Sequence, residues 1–211
     1  TAKDLEELTK IINSELIGYE IIEQKENYII IKDITSETSE SFEVVLRRTF
    51  LLILHLSENE DKEMINSLDK SIDKMSNYCL RILIKKGHID YKNLVFYYNL
   101  IDNLEKLGDE YKWLLRLNLK GEKLSVLKEL NLCLKKAYES FYKFNSEENI
   151  TYNNKTYEIK NAIKFKEKID LADLHLHNIA RRLITIYGDI FAIRYKWFKK
   201  QTLALNNLKY F

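Results

Sequence analysis

The sequence predicts a mainly all-α fold: two three-helix bundles lying side by side, preceded by a short helix and a β-hairpin. Three observations carry this. The 211 residues include no Pro and only five Gly, so little interrupts a helix. From about Ser39 onward the apolar residues recur with a 3.6-residue period. Finally, Leu104–Asp109 (LEKLGD) is echoed 80 residues later by Ile184–Asp189 (ITIYGD), as if the second half repeated the first.

Taken in order, Leu5–Ile12 has helical spacing, and Tyr19–Gln24 and Asn27–Lys32 read as two β-rich runs divided by Lys25-Glu26. A helix and a hairpin bury little by themselves, so residues 1–36 must lean on the helices or on upstream sequence. The helices are predicted near 39–57, 61–86 and 90–118 (first bundle, 37–119) and near 121–145, 155–169 and 171–206 (second bundle, 120–211). Two carry an apolar seam at alternating steps of 3 and 4: Ile65, Leu68, Ile72, Met75, Cys79, Ile82, and Leu176, Ile179, Leu183, Ile186, Ile190, Ile193, Trp197. Such seams pack antiparallel neighbours at a shallow angle. Gly87 after Lys85-Lys86 is a C-cap signal, and Gly121 marks the next break. The turn-rich run Asn145–Asn154 is expected to separate the fourth and fifth helices. Gly108 and Gly188, each inside a helix, predict close helix–helix approach, because Gly there costs about 1 kcal/mol relative to Ala.

Composition narrows the function classes. Charged residues make up 31% and hydrophobic ones 45%, with a formal charge of +2, which excludes a disordered tail or a disulfide-stapled scaffold. Cys79 and Cys133 both sit in apolar helical patterns and are expected as core residues in a reducing, cytoplasmic setting. The longest apolar run, Phe50–Leu54, is far short of a membrane span. The start at Thr1 carries no signal peptide and suggests part of a longer protein. Charge is uneven: residues 1–80 carry a net −8 and residues 81–211 a net +10. The basic final segment, 181–211, either meets an anionic surface or partner or simply solvates a helix face.

Two constellations suit metal chemistry. Asp69 and Asp73 lie one turn apart, as do Glu105 and Asp109, with Asp102 on the latter's stripe. Like charges so spaced destabilise a helix by about 0.2–0.5 kcal/mol. If the two helices face each other the carboxylates converge, and a cation relieves the repulsion, as in di-iron and di-manganese bundles. The alternative is two acid pairs on solvated faces. A weaker set is Asp170, Asp173 and His177, with His175 nearby; its alternative is a group of first-turn acids complementing the helix dipole. Arg181-Arg182 suits a phosphate or carboxylate grip or, more simply, a surface ion pair. Trp113, Trp197 and the tyrosines are expected in the core or an interface. Phosphate loop, nucleophile elbow, HExxH and CxxC motifs are absent, as is any standard nucleic-acid module.

Leu104–Asp109 resembles the Glu-Arg-Ile-Gly-Asp motif in the third helix of PhoU domains, the phosphate-uptake regulators. Asp69–Asp73 (DKSID) is similar to the Asp/Glu-x-x-x-Asp pattern of the preceding helix in that family. Ile17–Gln24 (IGYEIIEQ), Ile31–Ile34 (IKDI) and Asn77–Arg81 (NYCLR) resemble segments of archaeal PhoU-like proteins. The resemblance covers essentially the whole chain and rests on the order and spacing of short motifs. It implies paired three-helix bundles, a homodimer, and a non-enzymatic cytoplasmic regulator of phosphate uptake or phosphate signalling. The implied partner is a transporter ATPase subunit or a sensor kinase, with peripheral membrane contact; direct nucleic-acid binding is not expected because no standard module is visible.

The resemblance also implies a metal ion (Fe, Mn, Zn or Mg) held by Asp69, Asp73, Glu105 and Asp109. The second motif departs from the family: Thr185 stands where the family has Glu, leaving Asp189, and Glu158 is followed by Ala162 at i+4. Archaeal relatives often begin with an AbrB-like DNA-binding domain, and none is visible here. Two other readings remain: the effector and dimerisation part of a transcriptional regulator, and a carboxylate-bridged metal oxidase, which the lack of bridging His ligands disfavours.

Overall fold

Why residues 2–24 leave one helix for a hairpin is local chemistry. The first helix, α1 (Ala2–Glu15), ends before Gly18, whose φ of +76° suits glycine and turns the chain into strand β1 (Tyr19–Gln24). Strand β2 (Ile29–Asp33) returns antiparallel, with an irregularity between Ile21 and Glu23. The structure is a computed structural model that describes residues 2–25, 28–33, 41–86, 91–163 and 170–208, with side chains left out at 2, 13–15, 86 and 196–208. The predicted Gly87 cap, the start at Ser39, the stretch 164–169 and the side chain of Trp197 lie outside the described residues.

The hairpin does lean on a helix. Arg81 places its guanidinium 4.4 Å from the Tyr19 ring centre and donates to the Ile17 carbonyl, while Lys85 bonds Asp33. Both cations belong to α3 (Lys62–Lys86), which follows α2 (Phe42–Ser57). Each helix starts on a side-chain cap: the Ser41 hydroxyl accepts from Val44 N, and Asp61 Oδ1 accepts from Met64 N at 2.7 Å. A 3-10 turn, Tyr91–Asn93, leads into α4 (Leu94–Leu115). Gly121, at φ +58°, directly precedes α5 (Glu122–Tyr142).

The next helix departs from expectation. Instead of a turn over 145–154 and a helix over 155–169, α6 runs Ser146–Ala162. Asn145 caps it, its side-chain oxygen accepting from Glu147 N and Glu148 N, and those two acids sit at the positive end of the helix dipole. The helix-poor residues inside are supported by bonds: Asn149 donates to the Ser140 hydroxyl at 3.1 Å, and the Thr156 hydroxyl to Tyr152 O at 2.7 Å. Tertiary burial overrides weak propensity here. The last helix, α7, runs Leu171–Leu208.

The protein is mainly helical, with seven α-helices among the described residues and one two-stranded hairpin. Helices α2, α3 and α4 pack pairwise on one another, as do α5, α6 and α7, and α4 lies along α7. One hydrophobic core runs through all six. The two seams form as expected: Ile65, Leu68, Ile72, Cys79 and Ile82 are buried on α3, and Leu176, Ile179, Leu183, Ile186, Ile190 and Ile193 on α7. Both cysteines are buried and free. Trp113 is not a core residue; it is 49% exposed, with Arg116 and Lys112 over its ring.

Only one of the two helix-interior glycines marks a close approach. A Cβ on Gly108 would sit 3.2 Å from Ile72 Cγ2, so Gly108 lets α4 close on α3. A Cβ on Gly188 would meet nothing within 4 Å. The paired substitutions Gly188→Ala and Gly108→Val therefore act in opposite directions in thermal or urea unfolding. The first is expected to stabilise by about 0.5–1 kcal/mol through helix propensity. The second destabilises by roughly 1–3 kcal/mol through overpacking against Ile72.

Candidate functional site

The close approach at Gly108 brings the two predicted acid pairs together. Asp69 and Asp73 on α3 and Glu105 and Asp109 on α4 lie near enough for their charges to act on one another. Burial, then Asp69, Asp109 and Glu105, push the Asp73 carboxyl up to about 6. Burial and the charges of Asp109 and Asp102 also raise Glu105, against the opposing pull of Lys106, whose ammonium pairs with Asp102 at 2.6 Å.

A cation already stands in this cluster. Lys112, three residues after Asp109, places its ammonium 2.8 Å from Asp69 Oδ2 and 3.0 Å from Asp109 Oδ1. Burial works against its charge, yet the two carboxylates outweigh that and hold its pKa above the ordinary value. Asp69 is only 7% exposed, so this pair is largely withdrawn from solvent. With Lys112 in place, no three His, Cys, Asp or Glu side chains among the described residues are arranged to hold a metal ion. The donor set as it stands fits an ammonium rather than a metal.

The weaker set is divided in the same way. Lys123 bridges Asp170 at 2.6 Å and Asp173 at 3.1 Å, and Asp170 Oδ1 also accepts from Ala172 N as a helix cap. His177 joins no metal-holding group among the described residues; burial and the neighbouring Lys160 and Arg181 lower its pKa. Its neighbour His175 instead places Nδ1 2.7 Å from Glu110 Oε2 on α4.

That contact opens a polar seam along α4 and α7 which the sequence reading missed. Asn178 donates to Glu110 at 3.1 Å, Arg182 Nη1 to Asn103 Oδ1 at 3.2 Å, and Asn103 to Asn99. Asn99 in turn donates to both oxygens of Asp189, at 2.8 and 3.0 Å. Arg182 is thus held inside the helix interface, not in a surface ion pair. The signal was present: His175, Asn178, Arg182 and Asp189 follow the helical period beside an apolar seam, the mark of a polar stripe at an interface.

The second, degenerate motif does not mirror the first. Asp189 is 6% exposed and turned toward α4, whereas Thr185 bonds back to Arg181 O, and Glu158 and Ala162 are exposed. Burial raises the Asp189 carboxyl to about 6, against the bond from Asn99. Compared with known proteins, the chain matches no family model, no curated protein and no solved structure.

Two outcomes follow from these charges. Asp189 keeps its proton to about pH 6 when folded, against 3.8 ordinarily. Between those values the native state binds more protons than the unfolded chain, so stability falls as pH rises through that window. Asp189→Asn is expected to be more stable than the parent at pH 7, by about 2 kcal/mol, with the gain gone by pH 4; chemical denaturation at both pH values checks this. Lys112→Met strands the Asp69 carboxylate and is expected to cost roughly 2–4 kcal/mol at pH 7. Its cost shrinks in acid as the cluster protonates, which the same titrations read.

Proposed function

We propose that this chain is a non-enzymatic, PhoU-like helical adaptor that regulates phosphate uptake or phosphate signalling. In this reading α2–α4 and α5–α7 are two three-helix bundles side by side, a division supported by the pairwise packing within each set. The observation that carries the proposal is the meeting of the acid pairs of α3 and α4 at Gly108, the positions at which the motif resemblance was drawn. Asp69, Asp73, Glu105 and Asp109 carry four negative charges against one Lys112. Beside them lies the half-exposed Trp113 ring. An acidic face with an exposed aromatic suits a basic, partly apolar segment of a partner protein.

The partner of this reading is a phosphate-transporter ATPase subunit or a phosphate sensor kinase, met at the cytoplasmic face of the membrane by a homodimer. No described helix is long and apolar enough to cross a membrane. The adaptor role does not require a metal, because Lys112 supplies a counter-charge within the acid cluster.

A second reading, the dimerisation and effector part of a transcriptional regulator, is favoured by one observation. The α1–hairpin segment leaves Leu8, Ile11, Ile22, Ile30 and Ile31 exposed, more apolar surface than a solvated hairpin needs.

The test is capture of phosphate-transport components from phosphate-replete cells on the full chain, beside an Asp73→Lys/Glu105→Lys variant with the same helical circular dichroism. The parent is expected to retain an ATPase subunit or sensor kinase and the variant to lose at least about tenfold of it. No transport or sensor component on the parent, or equal capture by both, overturns the reading.

A further inference from the structure

A second charged cluster lies where α2, α5 and α7 meet, away from the α3–α4 acids, and it has the opposite sign. Arg47 on α2 sets its guanidinium 5.5 Å from the Tyr142 ring centre and donates from Nε to the Tyr138 hydroxyl at 3.1 Å. Arg194 on α7 lies 4.4 Å from the ring centre of Phe141. The Phe141 and Tyr142 rings are 5.0 Å apart, edge to face, so the two guanidiniums lie against neighbouring rings. Both arginines act as positive charges on the Tyr142 phenol. Phe50 and Tyr138 extend the aromatic floor, at 5.8 Å from each other.

Among the described residues, this cluster lacks an acceptor. The Tyr142 hydroxyl and Arg194 Nε are both shut off from solvent, and neither has a hydrogen-bond partner among the described residues. Neither guanidinium has a carboxylate partner among the described residues. Leaving a buried donor unpaired costs about 1–3 kcal/mol, and more for a charged group. An Arg hydrogen-bonds only as a donor, and a phenol can donate as well as accept. The group that completes such a set is an acceptor with negative charge. The planar guanidinium fork matches carboxylate and phosphate oxygens, and aromatic walls of this kind strengthen the interaction by excluding water.

We infer that Arg47, Arg194 and the Tyr142 hydroxyl form a binding site for a small oxyanion of the phosphate or carboxylate type at the α2–α5–α7 junction. Arg194 Nε and the Tyr142 hydroxyl donate to it from within the fold, and Arg47 supplies a second charge from the surface side. This site is independent of the adaptor reading, which concerns the acids of α3 and α4.

Isothermal titration of the full chain with inorganic phosphate, and separately with acetate, at constant ionic strength tests it. One-to-one saturable binding of at least one of the two is expected in the parent. Arg194→Met, which keeps the apolar stem, is expected to weaken it by roughly tenfold to a hundredfold, and Tyr142→Phe by several-fold. Arg116→Met, which removes the guanidinium beside Trp113, leaves it unchanged. Circular dichroism certifies the fold of each variant, and Tyr142→Phe, a loss of one oxygen, keeps the test decisive if Arg194→Met does not fold. Vesicles of phosphatidylglycerol, which present the same charge on a surface, are expected not to bind. No saturable signal with either anion overturns the inference. So does binding that both Arg194→Met and Tyr142→Phe leave intact, or binding confined to the vesicles.

Discussion

The interface between α4 and α7 is the contact on which the remaining packing depends. Leu100, Leu104 and Leu107 of α4 and the α7 seam from Leu176 to Ile193 are all buried and belong to one core. Through this interface the core of α2–α4 is continuous with that of α5–α7. Beside the apolar contact runs a ladder of polar groups, from His175 and Glu110 to Asn99 and Asp189. Each must find its partner at one register, because a buried polar group without a bond costs more than the bond itself yields. Sliding α7 by one turn would part Asp189 from Asn99 and Arg182 from Asn103, so the ladder selects the alignment that the non-directional apolar contact leaves open.

Charge is handled by the same rule on the other side of α4. Four carboxylates meet where Gly108 admits Ile72, and Lys112 is drawn between Asp69 and Asp109. Lys123 does the same for Asp170 and Asp173. In both places a lysine from a nearby turn or a facing helix occupies the position that a bound cation was expected to take. An ammonium on a flexible stem reaches such a cluster without the strict geometry that a metal ion demands. The acids of α3 and α4 remain in excess of their cation, which is why burial and repulsion together keep Asp73 protonated to an unusually high pH.

The cationic junction of α2, α5 and α7 has no equivalent internal solution among the described residues. Arg47 and Arg194 stack on aromatic rings rather than on acids. Stacking satisfies the face of a guanidinium but not its N–H groups. The acidic and basic clusters thus differ in kind: the first holds a lysine among its acids, and the second, among the described residues, has donors with no partner.

Much of this was legible in the residues alone, and the divisions fall along physical lines. The hairpin, the two apolar seams and most helix ends follow from period, glycine and capping residues, which are local. The start of α6 was misread because Asn and Thr signal turns by composition, while Asn145 capping and the burial of Asn149 and Thr156 make the same residues helical. The convergence of Asp69, Asp73, Glu105 and Asp109 was readable as spacing, but the place of Lys112 among them depends on how α3 and α4 face each other. Gly108 and Gly188 look alike in sequence, and only the first has a neighbour in contact. Sequence by itself determined the mainly helical class and which face of each helix is apolar, because these depend on residues within a few positions of one another. Tertiary structure alone decided which charged groups meet, because a side chain's partner is set by the helix that packs against it.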